Sequence, residues 1–315
     1  MGRACKADRI ALLTRNPLRD MTALVFLLIA SLFGGQQAPR EAPLELKLRL
    51  LEEINRGRIE AGVSPVEYSP ELSKAADQHC REMLQEGYVS HWDRAGRKPY
   101  LRYAEAGARG NTAENITSLR DSEFPDDLKI LWVSMFSGHQ RFMAEVPPDD
   151  GHRRSILDAR QTHVGIGVAY DGSGMRLIEV YEARYSHLDA MPGRVTLRDT
   201  LTVSGRLLRR NLELVALTVF YEPLPKAMSV AELSRTRSYS LPAEQRHQRV
   251  QIIGARYVDG SRGSVEIGLD GAFRAPLNFW KGSPGVYSVG VWVSETGREP
   301  FLGGLLPVIV EEGKR

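Results

Sequence analysis

Apolar residues recur at helical spacing early in the chain and at alternate positions late in it, so the pattern changes character along its length. Leu44, Leu48, Leu51 and Ile54 are separated by charged residues, which predicts an amphipathic helix over about 44–61, closed by Gly62. Ser69-Pro70 opens a second helix, with Ser as N-cap and Pro at the first position. Leu72, Ala76, His79 and Met83 line one face of it, and Gly87 ends it. A short helix or turn is expected within 97–107 and another short helix after His152. Between them a helix is expected from Asp126 to about Phe136, with Leu128, Leu131, Trp132 and Met135 facing inward. Residues 163–170 and 175–183 read as paired strands around the turn Asp171-Gly172-Ser173-Gly174.

From about Ser186 the texture becomes short alternating runs punctuated by Gly, Pro and Asp. Leu201, Val203, Gly205 and Leu207 alternate, as do Val215, Leu217, Val219 and Tyr221, and later Tyr287, Val289, Val291 and Val293. Further candidates lie near 248–257, 262–269 and 305–310, whereas 223–247 lacks periodicity and is expected to be a long loop. Six to eight short strands at this spacing predict an antiparallel β-sandwich of immunoglobulin-like type. The fold class is therefore α+β: a helix-rich first part and an all-β second part, each expected to fold on its own. The chain contains no internal repeat, P-loop or Rossmann glycine pattern.

Composition adds a leader to this division. The chain has 315 residues, 42% hydrophobic and 26% charged, enough for two ordinary globular domains. Arg3, Lys6, Arg9, Arg15 and Arg19 precede an apolar run from Ala23 to Phe33, followed by Gly34 and Gly35. That order reads as a secretory signal, and the run is too short to span a bilayer comfortably. An uncleaved membrane anchor is the alternative, and Met21 is an alternative start. The organisation expected is 1–40 leader, 41–185 first domain and 186–315 β-sandwich. Without the leader's six basic and two acidic groups, 36 basic residues face 37 acidic ones, a balance that excludes a nucleic-acid footprint. Cys5 lies in the leader, so only Cys80 remains, with no disulfide framework and the reading of a small buried hydrophobe.

The candidate chemistry sits in three stretches: Ser90-His91-Trp92, Ala113-Glu114-Asn115-Ile116 and Gly151-His152-Arg153 through Ile156-Leu157. Two imidazoles and a carboxylate are the ligand set of a borderline metal and also the set for acid–base work. Their spacing is too wide for one local motif, so only the fold can assemble them. His79 and His163 read as hydrogen-bonded structural residues, and Asn115 as a residue that fixes the backbone aiming Glu114.

Residues 44–170 resemble a CAP domain, the superfamily of cysteine-rich secretory proteins, antigen 5 and plant pathogenesis-related proteins, in its bacterial form. The resemblance is carried by Leu51-Glu52-Glu53-Ile54-Asn55 with Arg58, Gly62 and Pro65, by His79 and Met83, and by Ser90-His91 with Gly96. It continues through Glu114-Asn115-Ile116, where Ala113 replaces the usual glycine, and through Gly151-His152-Arg153 and Thr162-His163-Val164-Gly165-Ile166-Gly167-Val168. It implies a layered α-β-α sandwich in which two histidines and two acidic residues meet in a cleft that binds a divalent cation in some members. His91, Glu114 and His152 match three of those four positions; Met135 stands where many eukaryotic members have the other glutamate. Glu145 is the candidate substitute and His139 a further possible member.

These features lead to an exported bacterial CAP-domain protein, secreted or periplasmic, or anchored to the inner membrane facing outward if the leader stays uncleaved. The expected action is non-catalytic binding of an extracellular lipid, peptide or glycan in the His/Glu-lined cleft, with or without zinc or another divalent cation. One rival is a metal-dependent hydrolase of peptide or cell-wall substrates, in which His91 and His152 hold zinc and Glu114 is third ligand or general base. Another is an adhesion or envelope-scaffold protein.

Overall fold

The helical spacing at 44–61 is realised as α1 (Leu44–Glu60), but its buried face is not the one the sequence suggested. Leu46, Lys47, Leu50, Ile54 and Arg58 point inward, while Leu44 and Leu48 are 57% and 39% exposed. Both sets have helical periodicity; the one that wins carries Arg58, whose guanidinium needs the carbonyls it finds inside. The structure, a computed structural model, describes residues 38–313, so residues 1–37 of the leader lie outside the described residues. Pro39–Arg315 forms one compact unit.

Ser69 caps α2 (Pro70–Glu86) as expected, its hydroxyl accepting the Leu72 N–H, and Gly87 closes the helix in the left-handed region at φ 75°. After α3 (Pro99–Glu105), strand β3 (Asn111–Arg120) carries Glu114. Helix α4 (Leu128–Met143) runs beyond the predicted end at Phe136. Gly138 looks like a stop signal, but a Cβ there would press on Thr117 and Leu177, so this glycine serves close helix–sheet approach. A short α5 (Gly151–Leu157) precedes the hairpin β4 (His163–Asp171) and β5 (Gly174–Ala183).

With the two-residue strands β1 (Arg40–Glu41) and β2 (Glu67–Tyr68), these strands form a mainly antiparallel sheet ordered β1-β4-β5-β3, with β2 parallel to β4. Helix α2 lies against β4, where a Cβ at Gly165 or Gly167 would collide with the backbone of Leu72 and Ala76. Between α1 and α2, Lys47 and Asp77 form a buried ion pair at 2.5 Å, and Asp77 also accepts the Val168 N–H at 2.8 Å. Arg58 is fully buried and donates to the carbonyls of Ser64, Ile156, Asp158 and Gln161, tying α1 to the end of α5.

The second half builds two sheets. One is ordered β10-β9-β13-β14-β7 and the other β11-β12-β8-β6. Their strands are β6 (Ser186–Leu188), β7 (Arg194–Thr196), β8 (Leu201–Leu207), β9 (Leu212–Glu222), β10 (Gln245–Arg249), β11 (Glu266–Ile267), β12 (Ala272–Leu277), β13 (Gly285–Glu295) and β14 (Phe301–Glu311). All pairings are antiparallel except β7 on β14. One apolar core, including Val203, Leu217, Val219, Phe273, Val289 and Val291, draws on both sheets.

Three expectations are corrected here. The candidate strand at 248–257 is mostly loop, because pairing with β9 stops at Arg249. The candidate at 262–269 shrinks to Glu266–Ile267, and Ala272–Leu277 is a strand the sequence reading missed. The loop expected at 223–247 contains a helix, α6 (Val230–Arg235), with a capping box between Ser229 and Glu232. The two halves also share apolar contacts. Leu233 of α6 is fully buried among first-half residues such as Met83, Leu84 and Tyr88. Tyr100 and Leu101 pack with Phe220, Val286, Leu302 and Ile309 of the second half.

Candidate functional site

His91 lies four residues beyond Gly87, on a loop held by its neighbours. The imidazole of His79, inside α2, sits 2.8 Å from the Ser90 carbonyl. A carbonyl only accepts, so His79 Nε2 carries the proton, and burial, followed by the nearby Arg102 charge, pushes its pKa down to about 3. His79 is therefore neutral and structural.

Next along the chain, His91 Nδ1 sits 2.8 Å from Oε1 of Glu114. The carboxylate accepts, so Nδ1 donates and Nε2 has no partner among the described residues. Glu114 is buried on β3, and its second oxygen accepts from Arg102 at 2.6 Å and from the Tyr103 hydroxyl. Burial alone would raise this carboxyl, but the Arg102 charge and the His91 bond outweigh it and bring it down to about 2. Arg102 also donates to the His91 carbonyl at 3.1 Å. Glu114 is thus a hub whose two oxygens are both committed.

His152 begins a second, similar pair. Its Nδ1 bonds Oε1 of Glu145, and Oε2 of the same carboxylate accepts the N–H groups of His152 at 2.9 Å and Arg153 at 3.3 Å. Desolvation works against this carboxylate, yet the His152 bond and charge, with the two N–H groups, lower its pKa. Phe142 packs on the imidazole at 4.7 Å between ring centroids. The two pairs meet through β3: Asn115, next to Glu114, donates to the His152 carbonyl at 3.1 Å. Asn115 therefore fixes the second pair's backbone, where the sequence reading had it aim Glu114.

Of the expected set, His91 and Glu114 bond each other directly, while His152 bonds Glu145. His139 is placed elsewhere: it is buried and bonded at 3.0 Å to Glu179, which also accepts from the Tyr181 hydroxyl at 2.7 Å. Its own burial would lower its pKa, but Glu179 raises it. His163 takes the structural place expected for it, Nδ1 lying 2.8 Å from the Thr162 hydroxyl. Cys80 is fully buried and free, its thiol pushed well up by desolvation.

Three site residues had gone unnoticed in the sequence: Arg102, Tyr103 and Tyr239. The first two lie within the predicted helix or turn at 97–107, where an Arg-Tyr pair facing a motif glutamate was the available signal. Tyr239 belongs to the second half. Its hydroxyl accepts the Glu114 N–H at 3.1 Å, and its ring lies 5.0 Å from that of His91. His91 is accordingly 15% exposed against 37% for His152. A cavity of about 410 Å3 lined by His79, Asp93, Arg97 and Arg102 adjoins the site through Arg102.

The donor set does not fit the three-ligand metal site that His91, Glu114 and His152 would make. Both Glu114 oxygens are occupied, and among the described residues no three His, Cys, Asp or Glu side chains converge as a metal would need. Each carboxylate instead fixes an imidazole tautomer and leaves its Nε2 as a bare acceptor.

Comparison with known proteins places the first half in a family. Residues 51–181 match the family model for CAP, the cysteine-rich secretory protein family, so the chain carries a CAP domain there. It is similar to the uncharacterized protein YkwD of Bacillus subtilis (strain 168), at 25% identity over 126 residues, 40% of this chain and 43% of that protein. The match thus spans less than half of that relative's length. Among solved structures, it is similar to an extracellular protein containing an SCP domain from Bacillus anthracis, at 17% identity and TM-score 0.35, covering 44% of this chain and 40% of that one. It is also similar to an outer surface protein from Borrelia burgdorferi, at 14% identity and TM-score 0.37, covering 46% of this chain and 98% of that one. Among the described residues no helix is long and apolar enough to cross a membrane.

Proposed function

We infer that this chain is an exported CAP-domain protein that binds a ligand or partner at its His/Glu surface without turning it over. The observation that carries this reading is the commitment of both carboxylates. Glu114 is held by His91, Arg102 and Tyr103, and Glu145 by His152 and two backbone N–H groups. Both carboxylates are already engaged, and one with a pKa of about 2 is a poor base at neutral pH, so hydrolysis would have to use an imidazole Nε2 as its base. What remains is a pair of oriented imidazole acceptors, suited to hydrogen-bonding a bound molecule. The basic and apolar order of residues 3–33 supports export, with the product secreted, periplasmic or held at the membrane by that segment.

The second half is read as an immunoglobulin-like sandwich. Strand order supports it: β11-β12-β8-β6 facing β10-β9-β13-β14-β7 follows the D-E-B-A and C′-C-F-G arrangement, with β7 lying parallel beside the last strand.

Incubation with peptide and cell-wall fragments, with and without added zinc, followed by mass spectrometry, tests the reading. Wild type is expected to release no more product than a His91→Ala, His152→Ala double variant. Product that depends on either histidine would replace binding with hydrolysis. Elemental analysis of protein purified without added metal tests the ion separately; zinc lost on His91→Ala would restore a metal to the site.

A further inference from the structure

Between β9 and β10 the chain leaves the sandwich at Glu222, crosses the CAP domain, and returns to pair at Gln245. Its first part is a rigid mount. The Lys226 backbone packs where a Cβ of Gly96 would be, the Met228 N–H donates to the Arg94 carbonyl at 2.9 Å, and Leu233 is sunk in the CAP core. The following residues, Thr236–Ser240, have no helix and no strand partner, and they are held in a different manner. Three consecutive alternate carbonyls are taken by side-chain donors from one short CAP stretch. The Ser90 hydroxyl donates to the Thr236 carbonyl, Trp92 Nε1 to that of Ser238 at 3.1 Å, and Lys98 Nζ to that of Ser240 at 3.3 Å.

A two-residue period in the bonded carbonyls is the signature of an extended backbone read from one side. The side chains of Arg237, Ser238 and Ser240 are exposed, so their identities are barely read. Tyr239 is the exception: it turns inward to the His91 ring and the Glu114 N–H. Main-chain bonds supply sequence-tolerant affinity and one side-chain pocket supplies selectivity, which is how extended peptides are generally recognised.

We propose that the groove lined by Ser90, His91, Trp92, Lys98 and Glu114 is a binding site for extended peptides bearing a tyrosine, and that Thr236–Ser240 occupies it in cis. The proposal rests on the binding reading above and names its ligand class. An incoming peptide displaces Thr236–Ser240 while α6, anchored by Leu233, stays in place. The tethered segment acts at an effective concentration on the order of millimolar, so it sets a threshold that a free peptide must exceed.

The test uses the full chain and a fluorescent nine-residue peptide copying residues 234–242, with a tyrosine-to-alanine version as control. Tyr239→Ala protein is expected to bind the peptide, wild type to bind it roughly tenfold or more weakly because the tethered copy competes, and the control to bind neither. A folded Tyr239→Ala variant that binds no peptide overturns the proposal, as does equal binding of the control. If that variant fails to fold, hydrogen exchange on wild type decides instead. The amide of Glu114, whose acceptor is the Tyr239 hydroxyl, is expected to exchange by a local opening that leaves α6 protected; exchange of that amide only on global unfolding makes the segment a permanent strut and sinks the idea. Mass spectrometry on the same samples separates the two readings. Cleavage of a bound peptide would end the non-catalytic reading and leave the groove assignment standing.

Discussion

Glu114 shows how a buried charge becomes both a site residue and a stability element. Its carboxyl lies lower in the folded chain than in the unfolded one, about 2 against an ordinary 4.5, so its contribution is complete above pH 4.5 and disappears as pH falls toward 2. A shift of that size corresponds to about 3 kcal/mol at neutral pH. Urea titrations between pH 6 and pH 2.5 check this: Glu114→Gln is expected to be less stable than wild type by about 3 kcal/mol at pH 6, with the gap closing at the acid end. His139 has the opposite sign. Glu179 raises its folded pKa above 6.5, so its stabilisation is whole below pH 6.5 and is lost as pH rises through the folded value. Replacing it by Gln is expected to flatten that alkaline slope in urea titrations carried upward from pH 6.5. Arg58 is a third test: its guanidinium serves four backbone carbonyls at the end of α1 and α5, and Arg58→Met leaves them without a donor in the interior. A loss of about 3 kcal/mol is expected in chemical denaturation.

At the scale of elements, the parts of the sequence that proved legible are those where local chemistry and tertiary demand agree. Ser69-Pro70 and Gly87 bracket α2 because capping is decided within a few residues, and the structure uses both. Ser69→Ala is expected to cost about 1 kcal/mol in thermal unfolding, the usual worth of an N-cap. The legibility fails where partners are remote. Leu44 and Leu48 carry the same period as Leu46 and Leu50, and only packing against Val164, Ile166 and Val168 of β4 tells the faces apart. Gly138 and Gly167 look alike in sequence to turn glycines, yet both permit a helix to touch a sheet. Gly167→Val would drive its side chain into the backbone at Ala76, so α2 must lift from β4. The expected result is a loss of several kcal/mol, with hydrogen exchange accelerating in α2 before the sandwich.

On the scale of the whole molecule, the site divides into a legible part and a hidden part for a physical reason. His91, Glu114 and His152 sit in strings whose residue types are dictated by what their side chains do, so the strings resemble a family even when read singly. Thr236, Ser238 and Ser240 contact the CAP domain through backbone carbonyls, which every residue possesses, so nothing in the composition of 236–240 but the single Tyr239 marks it. The same concealment affects the expectation that the halves fold separately. Division near residue 186 follows the change of texture, but it removes Leu233 from the CAP core and Phe220, Val286, Leu302 and Ile309 from around Tyr100 and Leu101. A fragment ending at residue 185 would therefore expose several large apolar side chains at once, each worth about 2 kcal/mol of burial, together with the unpaired N–H of Glu114. It is expected to bind a hydrophobic dye and to self-associate, whereas residues 38–313 unfold in a single transition. Extending the fragment cannot restore the lost contacts piecemeal, because they come from strands β9, β13 and β14 and from α6, spread over residues 212–311. Two well-separated transitions in calorimetry of the whole chain, or a monomeric, dye-silent fragment, would show that the shared contacts are too weak to couple the halves.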